Sequence, residues 1–201
     1  MKLNLKHPLS NQRGVSLIEV IVVMVIVVIL IMISAVGISL FFRKYQELNA
    51  WADLQKDGLE CLNTIKNGIA AGTGNNVEFL GVNNAIYMRL LGAPFGATTG
   101  NAIKVTPPTK DGLETTDYAQ FFLYDNAVRA TYVHRGIQIS SPVYLFPKRD
   151  KLDTMTLEKF QIKKVNQGPE LIAIEVTLHG KVKTGKDAFR YIKYKTKMVK
   201  K

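Results

Sequence analysis

Residues 14–42 read GVSLIEVIVVMVIVVILIMISAVGISLFF, an apolar run in which Glu19 is the only charged residue. As an α-helix, the run from Val15 onward would extend about 42 Å, more than the roughly 30 Å hydrocarbon core of a membrane. Valine and isoleucine lower helix propensity in water, but a lone segment in lipid satisfies its backbone polar groups only as a helix. The run therefore predicts a membrane-spanning helix, in which Gly37 is the one evident weak point.

The residues that flank this run are basic. Lys2, Lys6 and Arg13 precede it, whereas Arg43 and Lys44 follow it. Positive charge accumulates on the cytoplasmic side of membrane segments. The comparison favours a single pass through a membrane, with a cytoplasmic N-terminus and an extracytoplasmic C-terminal part.

Gly14 is a small residue suited to proteolytic cleavage, and it stands before the apolar run. A secretory signal carries its cleavage site after the run, so that cutting removes the apolar segment. A cut after Gly14 would leave that segment attached. An uncleaved signal anchor is the alternative interpretation, and it gives no reason for Glu19.

Glu19 requires a partner, because an unpaired carboxylate in an apolar span is costly. It lies four positions after Val15, on the same helical face and one turn away. A cut after Gly14 would give Val15 a positively charged α-amine. That amine could neutralise Glu19 of its own chain or of a neighbour, and an intermolecular pair would set the axial register of packed helices.

The segment Gly14–Val20, GVSLIEV, resembles the prepilin-peptidase recognition motif of type IV pilins and type II secretion pseudopilins. The resemblance implies cleavage between Gly14 and Val15, N-methylation of Val15, and an assembly role for Glu19. It implies three kinds of partner: the prepilin peptidase and methylase, other pilins or pseudopilins in a helical filament, and an inner-membrane assembly platform. In this family the first processed residue is usually Phe, Met or Leu, and here it is Val.

The later sequence sharpens this resemblance. Many major pilins carry a proline in the middle of the helix, and residues 15–42 contain none. Pseudopilins and minor pilins often lack that proline, and the order of the later segments resembles the J-type pseudopilins. The resemblance therefore favours these subclasses.

Apolar residues continue at spacings of three and four beyond the run, which predicts one helix over residues 15–70, ending at Gly68 or Gly72. This apolar face would pack on a sheet, and the charged residues would lie largely elsewhere. The apolar positions are Leu48, Trp51, Leu54, Gly58, Leu62, Ile65 and Ile69, and the charged ones are Glu47, Asp53, Lys56, Asp57, Glu60 and Lys66.

Beyond residue 76 the pattern changes to strands and predicts an α+β fold: a long N-terminal helix packed on a single C-terminal antiparallel sheet, as in pilins. Gly92–Asp117 is predicted as a loop, and the last two strands as a hairpin joined through His179 and Gly180. The predicted strands are 77–81, 85–91, 119–125, 127–135, 143–146, 158–165, 171–178 and 189–199. The predicted domains are a leader (1–14), a transmembrane and filament-core helix (15–42), its amphipathic continuation (43–72) and an extracytoplasmic β-rich domain (73–201).

The remaining sequence offers little chemistry. The only cysteine, Cys61, excludes an intramolecular disulfide and is predicted to be a small apolar residue of the helix. No metal, nucleophile or phosphate-binding motif occurs, so we predict no enzymatic activity, cofactor or metal. The loop Lys110–Asp117 is rich in oxygen ligands, but its spacing does not fit an EF-hand, and we favour a solvated loop over a calcium site.

The last predicted strand alternates basic and half-buried positions. Tyr191, Lys193, Lys195 and Lys197 would share one face, and the whole chain has a formal charge of +11. These residues could contact DNA, with Tyr191 as a stacking aromatic. Lysines also protect edge strands from pairing, and we favour that interpretation.

Three functional hypotheses follow. The favoured one is a structural subunit, a minor pilin or pseudopilin of a type IV pilus or type II secretion filament. The second is a DNA-binding minor pilin of a competence or DNA-uptake filament. The third is an unrelated anchored domain whose N-terminus would remain intact from Met1.

Overall fold

The structure, a computed structural model, describes residues 15–71, 78–92, 98–108, 116–138, 141–185 and 188–201. The chain divides into two units, the first up to Tyr45 and the second from Gln46 to Lys201. The predicted leader and the Gly14 side of the predicted cleavage site lie outside the described residues.

One long helix, α1, runs from Leu17 to Asn67. Gly68 follows with a backbone φ of +107°, in the left-handed region that glycine enters without a side-chain clash. Its amide donates to the carbonyl of Thr64, 2.7 Å away. Of the two predicted helix ends Gly68 is correct, but continuation to residue 70 is wrong because a strand begins at Ile69.

The second unit is rich in strands, most of which are short and connected by turns. In the described residues these are β1 (Ile69–Ala71), β2 (Glu78–Leu80), β3 (Tyr87–Leu91), β4 (Thr99–Gly100), β5 (Ala102–Thr106), β6 (Tyr118–Tyr124), β7 (Ala127–His134), β8 (Ile137–Gln138), β9 (Val143–Phe146), β10 (Met155–Lys164), β11 (Ala173–Lys183) and β12 (Phe189–Val199). Two 3₁₀ turns, Val82–Asn84 and Arg149–Lys151, follow β2 and β9.

These strands form antiparallel sheets. One sheet has the order β12–β11–β10–β4, and a second has the order β3–β5–β6–β7–β8 with β9 also paired to β7. β1 and β2 form a separate two-stranded sheet. The predicted α+β class is confirmed, whereas the expectation of a single sheet is wrong.

Two strands occupy part of the stretch Gly92–Asp117, which the sequence predicted as a loop. β4 pairs with β10, and β5 pairs with both β3 and β6. Ile103 and Val105 of β5 are fully buried. The flanking Gly100 and the prolines at 107–108 give this region the composition of a loop, which conceals a five-residue strand.

The terminal hairpin is longer than predicted, since β11 and β12 pair along their full lengths. His179 and Gly180, predicted to begin the connection, lie inside β11 opposite Lys193 and Ile192. A Cβ added at Gly180 would meet the ring of Phe146. The glycine therefore serves a close contact in the sheet and does not mark a turn.

The core of the second unit combines helix and sheet residues. Leu54 and Ile65 of α1 are fully buried together with Phe121 of β6 and Ile174 of β11. Leu48, which the sequence placed on the same apolar face, is 56% exposed. The predicted packing of the helix on a sheet is confirmed for the later part of that face.

The second unit brings α1 close to β12 at Gly58. A Cβ added there would lie 2.7 Å from Cδ1 of Ile192 and 2.9 Å from the ring of Tyr194. The Tyr194 hydroxyl donates to the carbonyl of Gln55 at 3.4 Å, and burial raises the Tyr194 pKa. Gly58 therefore occupies the apolar face because a side chain would not fit.

Asp57 contradicts the prediction that charged residues lie away from the packed face, since its side chain is 1% exposed. Nζ of Lys151 donates to its carboxylate at 2.9 Å, and Nζ of Lys148 lies 3.6 Å away. The hydrogen bond of Lys148 to Glu60 raises the Lys148 pKa. Burial lowers the Lys151 pKa, but the hydrogen bond to Asp57 and the charges of Asp57 and Asp53 together outweigh burial and raise it. Two lysines from the segment after β9 thus neutralise a buried helix carboxylate.

The first unit, as far as it is described, is the beginning of α1. Every side chain from Val15 to Tyr45 is exposed. A window of 18 residues in this helix reaches a mean hydropathy of 3.4, and none of it is buried. The helix is continuous through Gly37. By length and composition it can cross a membrane.

Candidate functional site: the start of α1 and the exposed face of β12

The first turn of α1 contains the residue predicted to direct assembly. The Oγ of Ser16 accepts a hydrogen bond from the amide of Ile18 at 3.2 Å. The amide of Ser16 donates to Oε2 of Glu19 at 2.8 Å. Val15 lies just before this pair and is 72% exposed. The two bonds form a variant of the capping box at the helix start, in which the Ser16 hydroxyl caps the amide of Ile18 and not that of Glu19.

The capping box gives Glu19 a structural role that the sequence analysis missed. The signal was present, because Ser16-Leu17-Ile18-Glu19 fits the pattern of serine or threonine followed three residues later by glutamate. A carboxylate near a helix N-terminus also interacts favourably with the helix dipole. Because a carboxylate has several acceptor sites, Glu19 can cap its own helix and still accept from a second donor.

The surface around this first turn is apolar on every side. Residues 20–38 consist of Val, Ile, Leu, Met, Ala, Gly and one serine, Ser34, whose hydroxyl donates to the carbonyl of Leu30 at 2.7 Å. A helix that is apolar all round is stable only when lipid or protein surrounds it. The site therefore consists of one carboxylate in the first turn of a helix whose apolar surface has to be surrounded by lipid or by other protein chains.

The strand β12 presents the predicted basic stripe. Tyr191, Lys193, Lys195 and Lys197 are exposed, and the intervening side chains are buried or half-buried. Nζ of Lys195 lies 3.1 Å from a carboxylate oxygen of Glu175 on the neighbouring strand. The strand is at the edge of its sheet. Contact of this stripe with nucleic acid stays a prediction.

The loop weighed as a calcium site lies mostly outside the described residues, which include only Thr116 and Asp117 of it. The side chain of Asp117 is fully buried and accepts hydrogen bonds from Tyr132 at 2.9 Å and the amide of Arg135 at 3.1 Å. It also lies 2.9 Å from Nδ1 of His134. Within the described ranges no group of three or more His, Cys, Asp or Glu side chains could hold a metal ion.

Cys61 packs inside the second unit, as predicted for a small apolar residue. It is 1% exposed, and burial raises the pKa of its thiol far above the ordinary range. The thiolate is the reactive form of cysteine. Both observations make Cys61 chemically inert in the folded chain.

Comparison with known families identifies the N-terminal segment. Residues 9–35 match the family described as the prokaryotic N-terminal methylation motif. No significant match is found among curated proteins or among solved structures. The chain therefore carries the class III prepilin signal of type IV pilin-like proteins, and the resemblance seen at Gly14–Val20 is confirmed.

This match bears on the functional class. The motif supports a type IV pilin-like protein that prepilin peptidase processes, and proteins that carry it are typically structural. The apolar helix that begins within the matched segment is consistent with membrane anchoring.

Proposed function

We propose that this protein is a structural subunit of a type IV pilus or a type II secretion filament, either a minor pilin or a pseudopilin. The observation that carries the proposal is the methylation motif over residues 9–35, which overlaps the first part of α1, where every side chain from Val15 to Tyr45 is exposed. The β-rich second unit then forms the part of the subunit outside the apolar filament core. The protein works by assembly, without a cofactor or a catalytic step.

Processing prepares the helix for assembly. Prepilin peptidase cuts between Gly14 and Val15 and N-methylates the new α-amine of Val15. The new terminus is one residue from Ser16, whose amide already donates to Glu19 at 2.8 Å. Cleavage therefore places a positive charge beside the capping box, within reach of the Glu19 carboxylate of the same or a neighbouring chain.

Assembly then follows from charge neutralisation in an apolar environment. The helix inserts in the bacterial inner membrane with the leader in the cytoplasm, and an inner-membrane assembly platform transfers it into the filament. A neighbour's Val15 amine that meets Glu19 fixes the axial position of the two helices, because sliding would leave a charge unpaired in a medium of low dielectric.

The first experiment measures the intact mass and the N-terminal sequence of protein extracted from membranes, in cells with and without prepilin peptidase. We expect a chain that begins at Val15 with one added methyl group, and only when the peptidase is present. A chain that begins at Met1 in both strains would make the protein a plain signal anchor and overturn the proposal.

The second experiment tests Glu19 in the processed chain. We expect Glu19→Val to be cleaved normally and to be lost from sheared filaments or from secretion activity, because the neighbour's amine then has no partner. Asp53→Asn is the matched control, since it neutralises an exposed carboxylate of the same helix within the second unit. Normal incorporation of Glu19→Val would contradict the assembly role.

A further inference from the structure

The hydrogen bonds at both ends of the β11–β12 ladder define which backbone groups of β12 are free. The amide of Thr184 donates to the carbonyl of Ala188 at 2.9 Å, and the amide of Lys200 donates to the carbonyl of Ile172 at 3.0 Å. The register between these pairs has no bulge. Bonded and non-bonded pairs alternate in an antiparallel ladder. The even-numbered residues of β12 therefore bond to β11, and the odd-numbered ones direct their N–H and C=O groups to the outer edge.

Along Phe189–Val199 that outer edge has no partner strand among the residues that the structure describes, and just beyond it the amide of Lys201 donates to the carbonyl of Asn83 at 3.2 Å. β12 is the last strand of the order β12–β11–β10–β4, and it is eleven residues long. An edge of this length is a template on which another extended chain can pair. Lys193, Lys195 and Lys197 are the central odd-numbered residues, so their backbone groups point outward along the edge while their side chains are exposed.

A groove adjoins this edge, between α1 and β12. Its apolar lining comes from Leu59 and Leu62 of the helix and Met198 of the strand. The volume is about 250 Å³, and Thr196 and Lys195 complete the strand side. Leu59 is 54% exposed at the mouth of this groove. A strand added to β12 would direct alternate side chains to this side, and those beside Tyr194–Met198 would enter the groove.

The added strand would have a second face, on the same side of the sheet as the exposed lysines of β12. The charge of these lysines determines which residues fit on that face. Residues directly opposite each other on paired strands share a face, and opposite charges there are stabilising. The cross-strand neighbours of Lys193, Lys195 and Lys197 would therefore be carboxylates. Glu175 of β11 already lies 3.1 Å from Lys195, which shows how a carboxylate is accommodated on this face.

A second copy of this chain does not meet that requirement. Pairing of β12 with another β12 would place lysines opposite or diagonal to lysines, and like charges in these positions are destabilising. Of the described strands β3 to β12, none contains two acidic residues; Glu158 and Glu175 stand alone in β10 and β11. None of these described strands of a second copy fits the edge, so the charge pattern favours a segment of a different protein.

We propose that the outer edge of β12 binds an extended segment of another protein as an added strand. The segment alternates carboxylates, opposite Lys193, Lys195 and Lys197, with apolar residues that enter the groove at Leu59 and Leu62. Strand addition supplies affinity through backbone hydrogen bonds and specificity through the alternate side chains. This surface goes beyond the proposed filament role and does not depend on it.

The test uses the full-length protein in detergent micelles and measures fluorescence anisotropy of labelled peptides. The probe is a peptide of about nine residues that alternates Glu and Val, a length that matches most of the edge. One control peptide replaces Glu with Lys, and another keeps the acidic sequence but carries N-methyl groups on alternate backbone amides. We expect the acidic peptide to bind at least about tenfold more tightly than either control. Loss of even one or two ladder bonds has this magnitude, and the lysine peptide would place like charges opposite the lysines of β12.

Variants of the protein test the same edge from the other side. Lys195→Gln removes the charge and keeps the outward N–H, whereas Lys195→Pro removes the N–H as well without taking a bond from β11. We expect Lys195→Pro to bind the acidic peptide about five- to tenfold more weakly than Lys195→Gln. Exchange of Lys193, Lys195 and Lys197 for Glu should reverse the preference to the basic peptide. The thermal unfolding of each variant is the control for folding.

Three results would overturn the proposal. Equal binding of the N-methylated and unmethylated acidic peptides to the wild-type protein would show attraction by side-chain charge alone. Absence of acidic-peptide binding at low salt would show that the lysines protect the edge from pairing with another strand. Tighter binding of a single-stranded oligonucleotide, lost when the three lysines become Gln, would make the stripe a nucleic-acid surface. The wild-type comparison remains decisive even if Lys195→Pro does not fold.

Discussion

The two parts of helix α1 differ in the exposure of their apolar residues. From Leu17 to Tyr45 the side chains are almost all apolar, and every one is exposed. From Gln46 to Asn67 apolar residues occupy one face, and Leu54, Cys61 and Ile65 are buried to 1% or less. The first segment of this helix therefore exposes its apolar side chains, whereas the second segment buries its apolar face against other residues of the same chain.

This difference shows where each part obtains its stability. The later part is stabilised within the chain, by burial against the sheets and by the ion pairs of Asp57. The earlier part requires an apolar environment from outside, which lipid supplies before assembly and neighbouring helices supply afterwards. The following predictions test this contrast with paired substitutions.

The largest effect is expected from removing an isoleucine in each part. Ile65→Ala leaves a cavity in the core and should lower the free energy of unfolding of the second unit by about 2–5 kcal/mol. Ile29→Ala, at a side chain that is 51% exposed, should leave that free energy unchanged. Denaturation of the purified protein in detergent, followed by near-ultraviolet circular dichroism, measures both. Equal effects would contradict the contrast.

Two glycines of the same helix should respond with opposite signs. Gly58→Ala forces a Cβ to within 2.7 Å of Ile192 and should destabilise the second unit by about 1–3 kcal/mol. Gly37→Ala meets nothing within 4 Å and should favour the helix by about 0.5–1 kcal/mol. Thermal unfolding reports the first change, and amide hydrogen exchange around residue 37 reports the second. A stabilised Gly58→Ala variant would show that Ile192 and Tyr194 move aside easily.

A smaller effect is expected from alkaline pH, and only in the second unit. The pKa values of Lys148 and Lys151 are raised in the folded chain, so their contribution is complete below the ordinary lysine pKa of about 10.4 and is lost as pH rises through the folded values. Each pair should contribute about 0.2–1 kcal/mol. The melting temperature should therefore fall as the pH rises above about 10.

Asp57→Asn is the control for this pH dependence. The neutral amide no longer favours the ammonium of Lys151, so the decrease in melting temperature with pH should be shallower than in the wild-type protein. Other lysines and tyrosines titrate in both proteins, and the difference between the two profiles isolates the cluster. Identical profiles would contradict the assignment of this pH dependence to Asp57.

The smallest global effect is expected at the helix start. Ser16→Ala removes the hydroxyl that caps the amide of Ile18 and should weaken the first turn by about 0.5–2 kcal/mol. Faster hydrogen exchange at the amides of Ile18 and Glu19 would report the loss, while the unfolding of the second unit should not change. Ser39→Ala, within the same helix but away from its start, is the matched control.

Much of the fold could be predicted because its signals are local. The apolar run predicted the helix, and the strands β9 and β12 begin and end at the predicted residues. Short strands were not predicted where the local composition is typical of a loop, as at β5, which lies between a glycine and two prolines. Gly180 looked like a turn because its contact, the ring of Phe146, is 34 residues away in sequence.

The N-terminal motif could be predicted for the same reason, because it is a local pattern. The family match over residues 9–35 includes Gly14, Val15 and Glu19, whose individual roles stay predictions. Asp57 was misplaced because Lys148 and Lys151, the residues that allow its burial, lie more than ninety positions away. Helical periodicity alone assigns a carboxylate to solvent, since it contains no information about distant partners.

The buried thiol of Cys61 has a practical consequence. It is the only sulfhydryl in the chain, and the folded second unit shields it. A maleimide dye added to intact cells or to purified filaments would consequently mark only those molecules whose second unit has opened. The labelled fraction of this protein therefore measures how many of its subunits have an unfolded second unit, without an added tag.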